Sequence, residues 1–165
     1  MEDQFNTPRL LLRSFQESDS VALYKFQSDT DSMRYTFSTT DRTESQHFFR
    51  THANQLTSIG YAPWTICLRD SQQIIGWGGL LQDPFDSGHG PEIAYFLGRE
   101  YWGQGYATEL VKFALAYGFR EFELPWIGAF VRKDNGGSNR VLEKNGFEWV
   151  EFNEELQRNY FRKLR

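Results

Sequence analysis

The chain has 165 residues and a mass of 19.4 kDa, a size that favours one domain able to bury about 70% of its surface. Its formal net charge of −4 provides no basic surplus, which argues against binding of nucleic acid by bulk charge. With 39% hydrophobic and 17% aromatic residues, the composition excludes a disordered chain.

Predicted elements alternate between strands and helices along the chain. Apolar runs predict strands at 10–13, 61–68, 74–81, 92–97, 126–131, 147–152 and 159–164. Helical spacing of apolar residues predicts helices that end near Gln27, cover 43–56, run from Ala107 to about Gly118, and cover 139–144. Ser138 is suited to cap the last helix. Without a linker or a repeat, we expect a single mixed α/β domain over residues 1–165.

Several kinds of site are not expected. The one cysteine, Cys67, excludes an internal disulfide and a cysteine-based zinc site, and the three histidines lack metal-binding spacing. The first residues lack the basic and apolar regions of a signal peptide, and no apolar stretch approaches the ~20 residues of a membrane helix. We therefore expect a cytoplasmic protein with no metal, no membrane partner and no nucleic-acid partner.

The most informative segment joins the strand at 92–97 to the helix after it. Small residues at Gly103, Gly105 and Ala107 let the backbone approach a ligand closely, and a helix N-terminus favours an anion such as a pyrophosphate. An ordinary strand-to-helix turn is the alternative. A P-loop is excluded because no Gly-Lys-Ser/Thr follows, and a dinucleotide fingerprint fails because Thr108 stands at its third glycine.

Five segments of the chain, in order, resemble one known family. They are residues 7–13 (TPRLLLR), 74–80 (IIGWGGL), 92–95 (EIAY), 102–109 (WGQGYATE) and 135–147 (NGGSNRVLEKNGF). Together they resemble the RimJ/RimL-like branch of the GNAT acyl-CoA N-acetyltransferases and span nearly the whole chain. The resemblance implies an α/β (α+β) GNAT fold, with a mixed, mainly antiparallel sheet flanked by helices. It also implies that the strands at 92–98 and 126–131 splay apart to bind acyl-CoA.

The same resemblance implies a set of residues that bind acetyl-CoA as co-substrate. The pyrophosphate loop would comprise Trp102, Gly103, Gln104, Gly105, Tyr106, Ala107 and Thr108. An N–H group of Phe96 or Leu97 would receive the negative charge that develops on the thioester oxygen. Further contacts are expected from Asn135, Ser138 and Arg140. The candidates for pairing with a phosphate of CoA are Arg99, Arg132, Lys133, Arg140 and Lys144, with a charge on a solvated helix face as the alternative for each.

Direct attack on the thioester requires a neutral amine, which a carboxylate can deprotonate itself or through water. Glu92 is the candidate base, with a solvated strand-end carboxylate as the alternative. Many GNAT enzymes protonate the CoA thiolate with a tyrosine on the helix at 139–144, but Leu142 stands at that position here. The branch offers Asn135 and Ser138 instead, so the expected catalytic residues are Glu92, Asn135 and Ser138. For Ser138, the alternative is that it only caps its helix.

These features predict an N-acetyltransferase that acts on a primary amine, such as a protein N-terminal α-amino group or a small-molecule amine. The carboxylates Asp29, Asp31, Asp83, Asp86 and Glu92 would suit a cationic acceptor. We expect a monomer or a homodimer. The rival hypothesis is a catalytically inactive CoA-binding sensor or assembly domain, which the missing helix tyrosine keeps open.

Overall fold

The computed structural model describes residues 4–165. Over this range eight strands form one sheet, in the order β1-β2-β3-β4-β5-β6-β8-β7. They are β1 (Gln4–Asn6), β2 (Leu10–Arg13), β3 (Trp64–Leu68), β4 (Ile74–Gln82), β5 (Pro91–Leu97), β6 (Trp126–Val131), β7 (Glu148–Asn153) and β8 (Arg158–Leu164). Neighbouring strands are antiparallel except β5 and β6, which are parallel. The mixed, mainly antiparallel sheet is therefore confirmed, and β1 is a strand that the sequence did not predict.

The helices flank this sheet. They are α1 (Ser20–Gln27), α2 (Arg42–Ala53), α3 (Gln55–Ser58), α4 (Tyr106–Glu121) and α5 (Gly136–Lys144), with short 3-10 turns at Glu17–Asp19, Ser87–His89 and Arg99–Tyr101. The apolar stripe of α4 is buried against the sheet. At Gly118 a Cβ would lie 2.7 Å from Cδ1 of Ile127, so the missing side chain lets α4 approach β6 closely.

The predicted cap of α5 was wrong. The helix begins at Gly136, and Asn135 is its N-cap, because the side-chain oxygen of Asn135 accepts the backbone N–H of Ser138 at 3.1 Å. Ser138 therefore lies in the first turn. Two glycines have low helix propensity, so the sequence pattern hid the turn that they form.

The two faces of the sheet carry different apolar clusters, because successive strand side chains point to opposite faces. Ile93 and Leu97 of β5 pack on the face covered by α4. Phe96 of the same strand belongs to the cluster that contains Leu23 of α1 and Phe49 of α2. The position of a residue along β5 thus decides which side of the sheet its side chain reaches.

The parallel strands β5 and β6 share one paired position, Glu92 with Gly128. After this position β5 continues to Leu97, while β6 keeps its pairing with β8 through Val131. The two strands therefore separate, which confirms the splayed pair that the family resemblance implied. In the part of the chain described, no helix is long and apolar enough to cross a membrane.

Candidate active site

A cavity of about 240 Å³ opens on the face of the sheet covered by α4 and α5. Of the residues predicted to bind a ligand, those that line it are Phe96, Leu97, Trp102, Gly103, Gly105, Tyr106, Ala107, Thr108, Asn135, Ser138 and Arg140. We call this space the α4 cavity. Gln104 does not line it, because its side-chain amide donates to the carbonyl oxygen of Glu100 at 2.8 Å. The fold thus gathers distant segments of the chain around one cleft.

The loop before α4 is built to hold an anion. Gly103 and Gly105 have φ angles of +71° and +83°, which favour glycine. The backbone N–H groups of residues 103–108 have no acceptor among residues 4–165. A Cβ at Gly103 would meet nothing within 4 Å, so the space above the loop is open. Free N–H groups at the start of a 16-residue helix are a suitable cradle for a phosphate or pyrophosphate.

The sequence did not predict the hydrogen bonds by which Arg9 and Thr7 hold this loop in place, a set of contacts that we call the clamp. Arg9 donates from Nε to Glu109 at 2.8 Å and from Nη1 to the carbonyl oxygen of Gln104 at 2.7 Å. The hydroxyl of Thr7 donates to the same carboxylate at 2.6 Å. Burial acts to raise the pKa of Glu109, but the hydrogen bonds from Thr7 and Arg9 outweigh it and the pKa is lowered. Thr7 and Arg9 lie in residues 7–13, the first of the five segments that resemble the family. That resemblance was the feature of the sequence that could have pointed to them.

The structure separates the basic residues that were candidates for a phosphate contact. Arg99 pairs with Asp31 at 3.0 Å and Arg132 with Asp134 at 3.0 Å, while Lys133 lies 3.7 Å above the ring of Phe152. Arg140 and Lys144 of α5 line the α4 cavity. Neither has an ion pair within the described range, so these two remain available to a ligand phosphate.

Hydrogen bonds fix the orientation of Ser138 at the inner end of the α4 cavity. Because the side-chain oxygen of Asn135 accepts the Ser138 N–H, its Nδ2 is the atom that donates to Ser138 Oγ, at 3.1 Å. The hydroxyl of Tyr95 also donates to Ser138 Oγ, at 3.1 Å. A serine hydroxyl has two acceptor lone pairs and one O–H. With both lone pairs used, the O–H of Ser138 is left as a donor to a ligand.

Tyr95 is the second functional residue that sequence reasoning missed. Burial raises its pKa to about 12, with the hydrogen bond to Ser138 acting in the opposite direction. Tyr95 therefore stays protonated at neutral pH. Leu142, at the position where the family resemblance implies a tyrosine in many enzymes, is buried in the apolar core. The hydroxyl group beside Ser138 thus comes from β5 and not from α5.

A second cavity, of about 320 Å³, lies on the opposite face of the sheet, beside α1 and α2. Its lining includes Glu92, Trp77 and Phe48. We call it the α2 cavity. The two cavities share Thr36, Tyr95 and Phe96 in their linings, so they meet where β5 separates from β6. A ligand in one cavity can therefore reach a ligand in the other through the gap in the sheet.

Glu92 is a buried carboxylate in the α2 cavity. Its exposed fraction is 9%, and the carboxylate has no hydrogen bond or ion pair with residues 4–165. Burial raises the pKa of Glu92 to about 8, the nearby carboxylates of Asp83 and Asp86 add to the shift, and Arg158 opposes it. The pKa of Glu92 therefore lies close to that of an α-amino group, which is also about 8.

The register of β5 decides which backbone N–H groups face the gap. Gly98 N–H donates to the carbonyl oxygen of Ile75 in the neighbouring strand. Hydrogen-bonding direction alternates along an antiparallel strand, so the N–H of Phe96 faces β4. The N–H groups of Tyr95 and Leu97 face the gap instead. Of the two predicted donors, only Leu97 is therefore directed toward a ligand.

Residues 9–148 match the family model for the acetyltransferase (GNAT) domain. The chain belongs to the GNAT acetyltransferase family. It is 31% identical over 145 residues to the uncharacterized N-acetyltransferase p20 of Bacillus licheniformis, with 86% of this chain and 80% of that protein covered. These matches confirm the family that the five sequence segments resemble and identify the protein as an acetyltransferase.

Solved structures show the same fold for this GNAT acetyltransferase. An acetyltransferase from Agrobacterium tumefaciens str. C58 has a TM-score of 0.85 and 20% sequence identity, over 98% of this chain and 94% of the other. RimL, a ribosomal L7/L12 α-N-protein acetyltransferase in complex with coenzyme A, has a TM-score of 0.79 and 18% identity, over 96% and 95% of the two chains.

Proposed function

We propose that this GNAT acetyltransferase transfers the acetyl group of acetyl-CoA to a primary amine, with CoA in the α4 cavity and the amine in the α2 cavity. The observation that carries the proposal is the meeting of the two cavities at Thr36, Tyr95 and Phe96, in the gap between β5 and β6. A nucleophile and a thioester held on opposite faces of the sheet would make contact there. RimL, which has the same fold, binds coenzyme A.

The residues of the α4 cavity fit acetyl-CoA. The unpaired N–H groups of residues 103–108 suit its pyrophosphate, and Arg140 and Lys144 suit a further phosphate. The apolar side chains around the gap, including Leu97 and Val141, suit the pantetheine arm. When bound, acetyl-CoA would supply an acetyl group activated as a thioester.

The chain's own groups would perform three tasks in the transfer. Glu92 would accept a proton from the incoming ammonium group, directly or through water. The N–H group of Leu97 or Tyr95 that faces the gap would stabilise the negative charge on the acetyl oxygen. The free O–H of Ser138 would donate to the sulfur atom of the leaving group.

Tyr95 would act as a positioning residue in this arrangement. Its pKa of about 12 lies well above the ~8.5 of an ordinary thiol, so proton transfer from Tyr95 to a thiolate would be uphill. Its hydroxyl instead occupies a lone pair of Ser138, which keeps the serine O–H directed at the ligand. The cap residue Asn135 does the same from the other side.

Thermal unfolding with acetyl-CoA and a thiol-release assay over primary amines test the proposal. Acetyl-CoA at 100 times its Kd should stabilise the protein by about 2.7 kcal/mol, and an accepted amine should release free CoA thiol. Stabilisation without thiol release from any amine would favour the rival hypothesis of an inactive CoA-binding domain. An absence of both would refute the assignment of the α4 cavity.

A matched pair of glycine variants tests the anion cradle. Gly105→Ala and Gly60→Ala both place a side chain at a left-handed residue, with φ of +83° and +88°, and should cost similar stability. Only Gly105 lies in the α4 cavity. We expect Gly105→Ala to weaken acetyl-CoA binding at least about tenfold, whereas Gly60→Ala leaves it unchanged. Equal effects in both variants would contradict the cradle.

A further inference from the structure

The α2 cavity has a wall of aromatic rings that runs from its rim to the gap in the sheet. Phe37, 49% exposed, stacks on Phe48 with ring centroids 6.4 Å apart. Phe48 lies 5.1 Å from Trp77, and Trp77 stacks on Phe96 at 5.8 Å. All four rings line the cavity, and Phe96 also lines the α4 cavity. An exposed ring at the outer end of this row leaves aromatic surface available to a ligand.

The charges in the lining of the α2 cavity favour a cationic group beside Glu92. Three carboxylates line the α2 cavity, and two of them have local partners: Asp83 accepts the N–H of Phe85 at 2.8 Å, and Asp86 lies 3.6 Å from Nδ1 of His89. Glu92, 9% exposed, has no hydrogen bond or ion pair within residues 4–165; Arg158, which also lines the cavity, acts on it through its charge without a direct contact. An unpaired buried carboxylate is costly, and a single ammonium group would complete it.

A buried amide in the same lining also lacks a partner. Gln27 is fully buried, and neither its Nε2 nor its Oε1 has a hydrogen bond among the described residues. Gln27 lines the α2 cavity. A neutral group that both donates and accepts, such as a hydroxyl, would satisfy this amide.

We propose that the acceptor is a primary monoamine with an aromatic body that carries a hydroxyl group. This proposal rests on the proposed function above. The ammonium group would meet Glu92, the ring would lie along the aromatic wall, and the hydroxyl would bond to Gln27. A polyamine would place its further ammonium groups at Asp83 and Asp86, which are more exposed than Glu92 and attract a cation less strongly, and it would leave the aromatic wall without an aromatic partner. A peptide would bring backbone N–H and C=O groups that aromatic faces leave unsatisfied.

Four amines test the substrate class: tyramine, phenethylamine, which lacks only the hydroxyl of tyramine, spermidine as a polyamine, and a tetrapeptide with a free N-terminal serine. With the full chain and saturating acetyl-CoA, we expect kcat/KM for thiol release to be highest for tyramine. Phenethylamine should follow, and both should exceed spermidine and the peptide at least tenfold. A higher value for spermidine or the peptide overturns the proposal while the proposed function stands. No thiol release from any amine instead refutes the proposed function.

Two variants with matched controls test the contacts. Gln27→Leu should reduce the ratio of the tyramine and phenethylamine kcat/KM values to about one, and it should fold because it replaces an unsatisfied buried amide. Phe37→Ala should lower kcat/KM for both aromatic amines about fivefold and leave spermidine unchanged. Phe85→Ala is its control, because Phe85 is also exposed but does not line the α2 cavity. An unchanged ratio in Gln27→Leu, or equal effects of the two phenylalanine variants, refutes the contact concerned.

Discussion

Replacing Glu92 by glutamine should make the protein more stable and less active. Burial takes the ionised form of this carboxyl out of water and raises its pKa from 4.5 to about 8; the charges of Asp83 and Asp86 add to the shift, and the charge of Arg158 opposes it. Below pH 4.5 the group is protonated in both the folded and unfolded states, so the full stability is present. As the pH rises from there through 8, the unfolded chain ionises more readily and stability is lost.

The size of the stability change follows from the shift in the pKa of Glu92. A rise of about 3.5 pKa units, at about 1.36 kcal/mol each, limits the cost of an ionised Glu92 to about 5 kcal/mol well above pH 8. At pH 7, where the folded carboxyl is mostly protonated, the cost is about 3 kcal/mol. Glutamine has nearly the same shape and no charge, so Glu92→Gln should remove this cost.

Urea unfolding of the wild type and Glu92→Gln provides the assay. The stability advantage of the variant should grow from about 1 kcal/mol at about pH 5.5 to nearly 5 kcal/mol, roughly its limit, at about pH 8.5. Glu148→Gln is the control, since Glu148 is exposed on β7 and its replacement should change stability by less than about 0.5 kcal/mol at any pH. An advantage that does not change with pH would refute the unpaired buried carboxylate.

The kinetics of the same variant test Glu92 as a base. Loss of a general base lowers the rate about 10²–10⁴-fold. The ratio of the wild-type and variant kcat/KM values should rise about tenfold per pH unit and level off near pH 8, where Glu92 is ionised. A ratio independent of pH would assign proton removal to another group.

Two further predictions concern the α4 cavity. Tyr95→Phe should lower kcat about tenfold without changing acetyl-CoA affinity, because the hydroxyl of Ser138 loses a fixing donor. The buried Tyr61 lies outside both cavities, and an equal kcat loss in Tyr61→Phe would contradict this role. Arg9→Ala should weaken acetyl-CoA binding about tenfold in calorimetry, because the glycine loop loses its clamp. The control is the surface variant Arg50→Ala, which breaks an ion pair with Glu17 and should not weaken acetyl-CoA binding. Unchanged acetyl-CoA affinity in Arg9→Ala would show that Arg9 does not hold the loop in its binding conformation.

Local signals made much of the fold predictable. The boundaries of β6 agree with the predicted strand, because an apolar run between turn residues is a short-range pattern. The glycine loop and α4 were predictable for the same reason. The glycines Gly103 and Gly105 and the apolar stripe of α4 all lie within one short segment of the sequence. The start of α5 was not, because Asn135 and Ser138 are both good cap residues and only the folded hydrogen bond distinguishes them.

The sequence by itself determined the chemical groups that the protein carries: a glycine loop suited to an anion, a carboxylate at Glu92, and the polar side chains of Asn135 and Ser138. The tertiary structure decided how these groups face one another. Glu92 and Tyr95 lie three positions apart on β5 and point to opposite faces, and Tyr95 meets Ser138 across 43 residues of sequence. Strand register and sheet order arise from long-range packing, so no local pattern could show that the two cavities meet at the gap between β5 and β6.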